Sequence, residues 1–295
     1  MPALTAIVNK AVAGDRSISL FYNTSNAQLG LLSQSGTQDD DANEELTWAA
    51  GNDDYPGVIM NPSQMSSSLY QGLNFVFAVT TPKSDSATSQ STNQVSIVSP
   101  VYKKLAITLP GNISVTSCSA DDGGWVYFTN RYTTDTTTVQ EVDLRTGRTT
   151  NFLSTSSSWI NTSLAAYYDP TKKDRFVVFE ASSLMELSAN KQQIQFIGAT
   201  GNMLRNTPLA VSYHDGKAYL YYCQMGDRAL YRIVKNGETW GIASQVADAP
   251  TIDEASQLAV VTANGFNHLF YVAQSGAQSE PTATGYFTHV RDSLN

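Results

Sequence analysis

The sequence contains few of the features that would assign a function directly. Its 295 residues include only two cysteines and three histidines, and charged residues make up 15% of the chain. No apolar run approaches the roughly 20 residues that cross a membrane as a helix. No cluster of Lys or Arg is present, and the formal net charge is −8. Neither nucleic-acid binding nor membrane insertion is therefore expected, because nucleic acids and anionic lipid surfaces both select clustered positive charge.

The common catalytic motifs are also missing from the sequence. There is no Gly-x-Ser-x-Gly elbow, no Gly-rich phosphate loop, no His-Glu-x-x-His and no Cys-x-x-Cys. His214, His268 and His289 do not have the spacing of metal ligands. The sequence therefore predicts neither a metal site nor a cofactor.

The cysteines and the chain start leave the cellular location open. Cys118 and Cys223 fall in repeats that are not adjacent, too far apart for a disulfide, so two free buried thiols are expected. The amino terminus lacks the basic and apolar regions of a signal peptide. Three N-glycosylation sequons nevertheless begin at Asn23, Asn112 and Asn161. Both a cytoplasmic protein and a mature secretory form fit these observations.

The most informative feature that is present is a degenerate unit of about fifty residues. Its six copies begin near residues 5, 57, 113, 163, 208 and 257. Each copy opens with small apolar residues and continues with an aromatic and β-branched run, as in Leu164–Tyr168 followed by Phe176–Phe179. Repeats of this length built from short strands are typical of a β-propeller with one blade per repeat.

Turn residues and the lack of a helical period support an all-β fold. His214-Asp215-Gly216 and Asn264-Gly265 lie between first and second strands, where tight hairpins require positive φ. No segment has a convincing period of 3.6 residues. The prediction is a single six-bladed β-propeller domain over residues 1–295. After the third strand of the sixth repeat little chain remains, so we expect a short last blade or closure by a terminus.

This pattern resembles the fungal fucose-specific lectins, which are six-bladed propellers with a fucose pocket at each blade junction. The resemblance implies that each pocket uses an Arg at the start of a second strand, a Glu on the third strand and a Trp beyond it. Arg and Glu would bind the sugar hydroxyls, and the aromatic face would cover the apolar side of the ring. The resemblance covers the whole chain in strand rhythm, without a long identical motif.

The lectin residues transfer only in part. The fourth repeat has Arg175 and Glu186 at nearly the right spacing, but Ile194 lies near the Trp position. The third keeps Glu141 and the fifth keeps Trp240. No repeat holds all three, whereas a multivalent lectin depends on several working sites. The alternative function is therefore a fucose-binding lectin with one or two residual sites, best placed at Arg175 and Glu186.

A lectin scaffold without lectin residues is also similar to the fungal hetero-Diels–Alderases of tropolonic sesquiterpenoid biosynthesis. That resemblance rests on the fold and on motif loss. It implies a cofactor-free pericyclase that takes small polyketide and terpenoid substrates. Dehydration of a tropolone alcohol would give an ortho-quinone methide, which adds to a humulene-type alkene. A homodimer is left open. This is the leading functional hypothesis.

Candidate site residues follow from the expectation that equivalent strand ends converge on one rim of the propeller. A Tyr or neutral His there could exchange protons during dehydration, which suggests Tyr167, Tyr213 and His214 as catalytic residues. Aromatic and basic side chains that could stack on or grip the substrate are Trp125, Arg131, Trp159, Tyr168, Arg205 and Trp240.

Overall fold

The structure is a computed structural model. It describes residues 3–10, 18–34, 46–48, 57–82, 92–108, 110–133, 136–155, 162–254, 256–274 and 287–294. Within these residues the secondary structure is almost entirely β, with one 3₁₀ turn at Gly198–Thr200. No helix in the described part of the chain is long and apolar enough to cross a membrane.

Six antiparallel sheets follow one another along the chain, and each forms one blade. Blade 1 contains β1 (Leu4–Val8), β2 (Ile18–Asn23), β3 (Leu29–Gln34) and β4 (Leu46–Trp48). Blade 2 contains β5 (Met65–Tyr70), β6 (Leu73–Thr80), β7 (Asn93–Ser99) and β8 (Lys103–Thr108). Blade 3 contains β9 (Val115–Ser119), β10 (Gly124–Thr133), β11 (Thr136–Asp143) and β12 (Thr149–Thr155).

The second half of the chain repeats the arrangement. Blade 4 contains β13 (Leu164–Asp169), β14 (Asp174–Glu180), β15 (Leu184–Ser188) and β16 (Gln193–Phe196). Blade 5 contains β17 (Ala210–His214), β18 (Lys217–Cys223), β19 (Leu230–Asn236), β20 (Thr239–Trp240) and β21 (Ser244–Gln245). Blade 6 has three described strands, β22 (Ala259–Ala263), β23 (Phe266–Tyr271) and β24 (Thr288–Ser293).

The first strands of the blades form a closed inner ring. β1 lies against both β5 and β22, and the ring continues through β9, β13 and β17. The predicted six-bladed propeller is therefore confirmed. The inner strands begin within two residues of the expected starts, except in blade 2. There Ile59 only bridges to Thr80, and the first strand begins at Met65.

The apolar core is divided among six seams, where a seam is the interface between two neighbouring blades. Each seam has its own cluster of buried side chains. In β14, Val177 and Phe179 pack into the 3/4 seam, while Phe176 and Val178 pack into the 4/5 seam. Because successive strand residues face opposite sides, a strand buried on both faces is a continuous apolar run.

The hairpin turns have the backbone that their residues predict. Asp215 and Gly216 have φ of 47° and 77°, and Asn264 and Gly265 have φ of 48° and 84°. Two consecutive positive φ values are the pattern of the two-residue turn that matches the twist of a hairpin. These turns follow the first strands of blades 5 and 6 and place the ends of those two strands on one rim.

The inner ring encloses a narrow channel of about 90 Å³. Hydroxyl side chains line it on the side of blades 1 to 3, and Thr5 and Ser66 hydrogen-bond to Ser67 and Ser117 respectively at 2.8 Å. Alkyl side chains line the side of blades 4 to 6. Gln64 spans the ring near the start of the inner strands. Its amide donates to the Leu164 carbonyl at 3.2 Å and accepts from the Leu164 N–H at 2.9 Å.

Candidate functional site

The predicted catalytic tyrosines converge on one rim at the 4/5 seam. Tyr167 from β13 and Tyr213 from β17 stack with ring centroids 5.6 Å apart and planes 9° apart. His214 follows Tyr213, and its half-exposed side chain contacts Asp215, with Nε2 3.4 Å from Oδ2. Burial raises the pKa of Tyr213 to about 12, and a hydrogen bond to Asp169 acts in the same direction. The Tyr213 hydroxyl therefore stays protonated at neutral pH.

Tyr167 belongs to a buried network and not to an open pocket. Its side chain is 4% exposed, and its hydroxyl donates to Glu186 Oε1 at 2.6 Å. Glu186 Oε2 lies 2.5 Å from Lys235 Nζ, which reaches across the seam from blade 5. Burial, then the nearby Glu186 carboxylate, raises the pKa of Tyr167 far above its usual value. Such a tyrosine stays neutral and is held away from solvent.

A second network closes the 3/4 seam. The Tyr127 hydroxyl donates to Glu141 Oε2 at 2.5 Å. Arg175 of blade 4 grips both carboxylate oxygens, with Nε 2.9 Å from Oε2 and an Nη 3.2 Å from Oε1. The Arg175 guanidinium also lies 4.6 Å from the Trp125 ring centroid, and Trp125 stacks on Tyr168 at 5.8 Å. The Trp125 ring and the Arg175–Glu141 pair are therefore occupied by contacts within the protein.

The predicted sugar pair Arg175 and Glu186 does not form one site. In the β14–β15 register Phe176 lies opposite Ser188 and Val178 opposite Glu186, so Arg175 and Glu186 face opposite sides of blade 4. Arg175 contacts blade 3, whereas Glu186 contacts blade 5. Arg175 instead pairs with Glu141, which lies 34 residues earlier in the chain.

The remaining predicted contact residues do not gather around one pocket. Trp240 is 9% exposed in the 4/5 seam, 5.8 Å from Lys235 Nζ by its ring centroid. Arg205 is exposed in the connection between blades 4 and 5, near the buried Glu180. The Arg131 backbone pairs with Thr137 in blade 3. Trp159 lies outside the described residues.

Sequence reasoning missed the polar network of the 5/6 seam. Arg232 of blade 5 contacts both oxygens of Asp292 in β24 at 3.0 and 2.9 Å. The Tyr221 hydroxyl donates to Asp292 at 2.7 Å and accepts from the Asn267 amide at 2.8 Å. Arg232 occupies the third-strand position where the lectin pattern has Glu. The sequence shows this difference, but it does not show that Asp292 is the partner of the arginine.

The 6/1 seam carries a histidine pair instead of an ion pair. His268 Nε2 donates to the Ala263 carbonyl at 3.1 Å, so its Nδ1 accepts from His289 Nε2 at 2.9 Å. The His289 ring also stacks on Phe270 with centroids 4.7 Å apart. Burial lowers the pKa of both histidines to about 4. Both rings are therefore neutral at physiological pH.

The 1/2 seam contains an open apolar groove that the sequence did not predict. Its volume is about 290 Å³, and its walls come from Leu29, Ile59, Val98 and Tyr102. No charged residue lines it among the described side chains. The Tyr102 ring is 43% exposed, and its hydroxyl contacts Gln94 and Ser96 at 3.4 Å each. Contacts of that length are at the weak limit of hydrogen bonding, so the hydroxyl can turn to a ligand.

The floor of the groove is fixed by a close backbone approach. The Gly57 N–H donates to the Asn26 carbonyl at 2.7 Å, and the Ile59 N–H donates to the Ala27 carbonyl at 3.0 Å. A Cβ at Gly57 would lie 1.9 Å from the Ala27 carbonyl oxygen. Only glycine fits there, and this close approach holds the floor of the groove in place.

Two of the three predicted glycosylation sites can be located. The Asn23 and Asn112 side chains are 4% and 3% exposed. Asn112 Oδ1 accepts hydrogen bonds from the Ser114 N–H and the Thr129 hydroxyl. A glycan does not fit on either side chain in this conformation. Asn161 lies outside the described residues.

Comparisons with known proteins show relatives at low identity. No family model matches the chain. It is 26% identical over 238 residues to a wall-associated proteinase of Coccidioides immitis, covering 73% of this chain and 75% of that protein. The corresponding protein of Coccidioides posadasii is 27% identical over 239 residues, with the same coverage.

Solved structures match the fold over nearly the whole chain. The fucose-specific lectin of Aleuria aurantia superposes with a TM-score of 0.67 at 13% identity, covering 92% of this chain and 88% of that one. The lectin SapL1, solved with α-methyl fucoside, gives a TM-score of 0.60 at 9% identity, covering 99% and 96%. At these identities the likeness concerns the fold, and the chain has the six-bladed propeller architecture of the fucose-specific lectins.

Proposed function

We propose that this propeller binds small apolar molecules in the 1/2 groove and acts there as a cofactor-free pericyclase. The reaction is the hetero-Diels–Alder addition of a tropolone ortho-quinone methide to a humulene-type alkene. The observation that carries the proposal is the asymmetry of the seams. A lectin of this architecture needs several similar sugar pockets, whereas here the 3/4, 4/5 and 5/6 seams are filled by side chains of the protein itself.

The groove offers what a cycloaddition requires of a protein. Holding two apolar reactants in contact removes much of the entropic part of the barrier. An uncharged wall of Leu29, Ile59 and Val98 favours apolar partners. The Tyr102 hydroxyl can donate a hydrogen bond to a ring oxygen on which charge develops. About 290 Å³ lies at the lower end of small-molecule sites.

The test is product formation from a tropolone alcohol and humulene, followed by chiral chromatography. We expect one stereoisomer with the wild-type protein and a racemic, slower background without it. Val58 also lines the groove, and Val58→Trp, which fills it, should return the reaction to the background. Ile242→Trp, at a position that is 90% exposed, is the matched control and should leave the reaction unchanged. A wild-type rate equal to the background would contradict the proposal.

Fucose binding is the second candidate, because one junction does assemble a cation, a carboxylate and an indole. Arg175, Glu141 and Trp125 meet at the 3/4 seam. A fucose bound there would have to share the hydrogen-bonding groups that Arg175 and Glu141 now direct at each other. Calorimetric titration with millimolar L-fucose tests this function. Saturable heat that is lost in Trp125→Ala would support it, and no heat would exclude it.

The Coccidioides relatives are named as a proteinase, but the thiols of this chain do not suit that chemistry. Cys118 and Cys223 are both buried, and burial raises the pKa of Cys223 to about 12. A thiol with such a pKa stays protonated and is a poor nucleophile. We therefore do not propose a cysteine-dependent proteolytic function.

A further inference from the structure

We infer that the 4/5 seam is a binding site for a primary alkylammonium group, and that Lys235 of the chain itself fills this site. The inference is independent of the proposed function, since the site lies three seams away from the 1/2 groove, on the opposite side of the ring. It assigns Glu186 to the binding of a cation, in place of the sugar role that its sequence position suggested.

The surroundings of Lys235 Nζ have the composition of a cation cage. Glu186 Oε2 lies at 2.5 Å, and the Tyr167 hydroxyl lies at 3.5 Å. The ring centroids of Phe176 and Trp240 lie at 4.5 and 5.8 Å. A carboxylate with two aromatic faces is the arrangement by which proteins bind ammonium ions, because the faces carry negative charge density. Lys235 is 3% exposed, so the cage is closed to solvent.

One polar atom in the cage has no hydrogen-bond partner. The indole N–H of Trp240 is buried and makes no hydrogen bond within the described residues. Lys235 and Trp240 are directly paired across β19 and β20. The ring is therefore placed by its contact with the lysine chain and the seam, and not by a hydrogen bond of its own. This is expected if the indole serves as a face for the cation.

The contacts also define which ammonium fits. A separation of 2.5 Å from Glu186 Oε2 requires an N–H directed at the carboxylate. A quaternary ammonium has no such hydrogen, and its methyl groups would need the space that the carboxylate occupies. The neighbouring 3/4 seam, which also joins a tyrosine and a glutamate to a cation from the next blade, holds the planar guanidinium of Arg175 in a bidentate fork. The 4/5 seam presents a single near oxygen to a compact charge, which suits a primary ammonium.

The test empties the cage and offers a free ligand. Lys235→Ala removes three carbons and the ammonium group, which together correspond to n-propylammonium. We expect the melting temperature to fall by roughly 10 °C, because a buried carboxylate loses its partner. Added n-propylammonium chloride should restore it in a saturable manner. Propyltrimethylammonium, 1-propanol and sodium chloride should not, and neither wild-type protein nor the exposed-site control Lys191→Ala should respond to the amine.

Three further variants decide the remaining cases. Lys235→Ala combined with Glu186→Gln should lose the response to n-propylammonium, since the carboxylate that binds it is gone. If Lys235→Ala does not fold, Lys235→Met fills the same volume without a charge. Destabilisation of Lys235→Met that Glu186→Gln relieves would support the inference. Wild-type stability of Lys235→Met, or equal rescue of Lys235→Ala by 1-propanol, would overturn it.

Discussion

The 4/5 seam and the 1/2 seam occupy equivalent places in the propeller and are built in opposite ways. In the 4/5 seam a buried lysine and glutamate lie 2.5 Å apart between stacked aromatic rings. In the 1/2 seam none of the described side chains that line an open groove of about 290 Å³ is charged. The same blade geometry can therefore either lock two blades together or leave room for a ligand. The choice depends on a few side chains at the third strand and the connecting loops.

The comparison also separates a seam that stabilises the fold, the 4/5 seam, from one that can bind a ligand, the 1/2 seam. A buried ion pair adds little net stability over apolar packing, but removing one partner is costly because the other remains charged. Tyr167 and Glu186 are satisfied by each other and by Lys235, so they hold the seam. The 1/2 groove has weakly bonded polar groups and accessible walls, which are the properties of a binding site.

The largest effect is expected from breaking the ion pair of the 4/5 seam. Glu186→Ala leaves Lys235 buried without a counterion and should lower the free energy of unfolding by about 3–5 kcal/mol. Urea denaturation measures the loss. Glu238→Ala is the matched control, since Glu238 also pairs with a lysine but its side chain is 69% exposed, and it should change little. Equal effects of the two variants would show that the 4/5 seam is not held by its charges.

The histidine pair of the 6/1 seam should make that seam sensitive to acid. Because the folded-state pKa of both rings is about 4, below the usual 6.5, the folded state binds fewer protons. The stabilisation is present above pH 6.5 and is lost as the pH falls towards 4. About 3 kcal/mol is expected for the coupled pair. His289→Gln should flatten the loss measured by thermal unfolding across this range. His214→Gln, at a half-exposed position outside the 6/1 seam, should keep the wild-type profile.

The floor of the 1/2 groove should be intolerant of a single methyl group. Gly57→Ala forces a Cβ against the Ala27 carbonyl and should lower the unfolding free energy by about 1–3 kcal/mol, together with loss of groove ligands. Gly201→Ala is the control, because no atom lies within 4 Å of its Cβ position and its φ is −64°. That variant should be neutral or slightly stabilising. A Gly57→Ala protein as stable as Gly201→Ala would contradict the rigid floor.

The smallest effect is expected on the opposite rim of the 4/5 seam. Glu180 is 1% exposed and its Oε2 has no hydrogen-bond partner. Burial raises its pKa to about 7 from 4.5, so its contribution to stability is lost as the pH rises from 4.5 through 7. Glu180→Gln should therefore gain stability relative to wild type between pH 4.5 and pH 8, by at most about 3 kcal/mol. Glu254→Gln, whose side chain is 80% exposed, should show no such pH-dependent gain.

The fold could be predicted because its signals are local. Continuous apolar runs such as Phe176–Phe179 indicate strands buried on both faces, and Asn264-Gly265 indicates a tight hairpin. The separation of Arg175 from Glu186 onto opposite faces of blade 4 could not be predicted, because it depends on register. Arg175 lies opposite position 189, so Glu186, three residues earlier, faces the other blade. A shift of one residue would have put both on the same face.

The 1/2 groove was not predictable for a different reason. Its walls come from a turn at Ala27–Leu29, the connection at Gly57–Ile59 and the single residues Val98 and Tyr102. None of these belongs to the repeating apolar runs, and Tyr102 lies in the turn after a strand with an irregular register. Concavity formed by four separate segments leaves no pattern in a linear sequence. The stacking of Tyr167 on Tyr213, by contrast, follows from their equivalent positions in adjacent repeats.

Gln64 gives the ring a mechanical property that its seams alone would not supply. Six units joined only to their neighbours can shear, as a hexagon with hinged corners can. The paired hydrogen bonds from Gln64 to Leu164 connect blade 2 directly to blade 4 across 100 residues of sequence. They form a cross-link between blades 2 and 4 that fixes the position of blade 3 between them. Blades 2 to 4 should therefore move and unfold as one unit, while any breathing of the ring is confined to the seams outside these three blades.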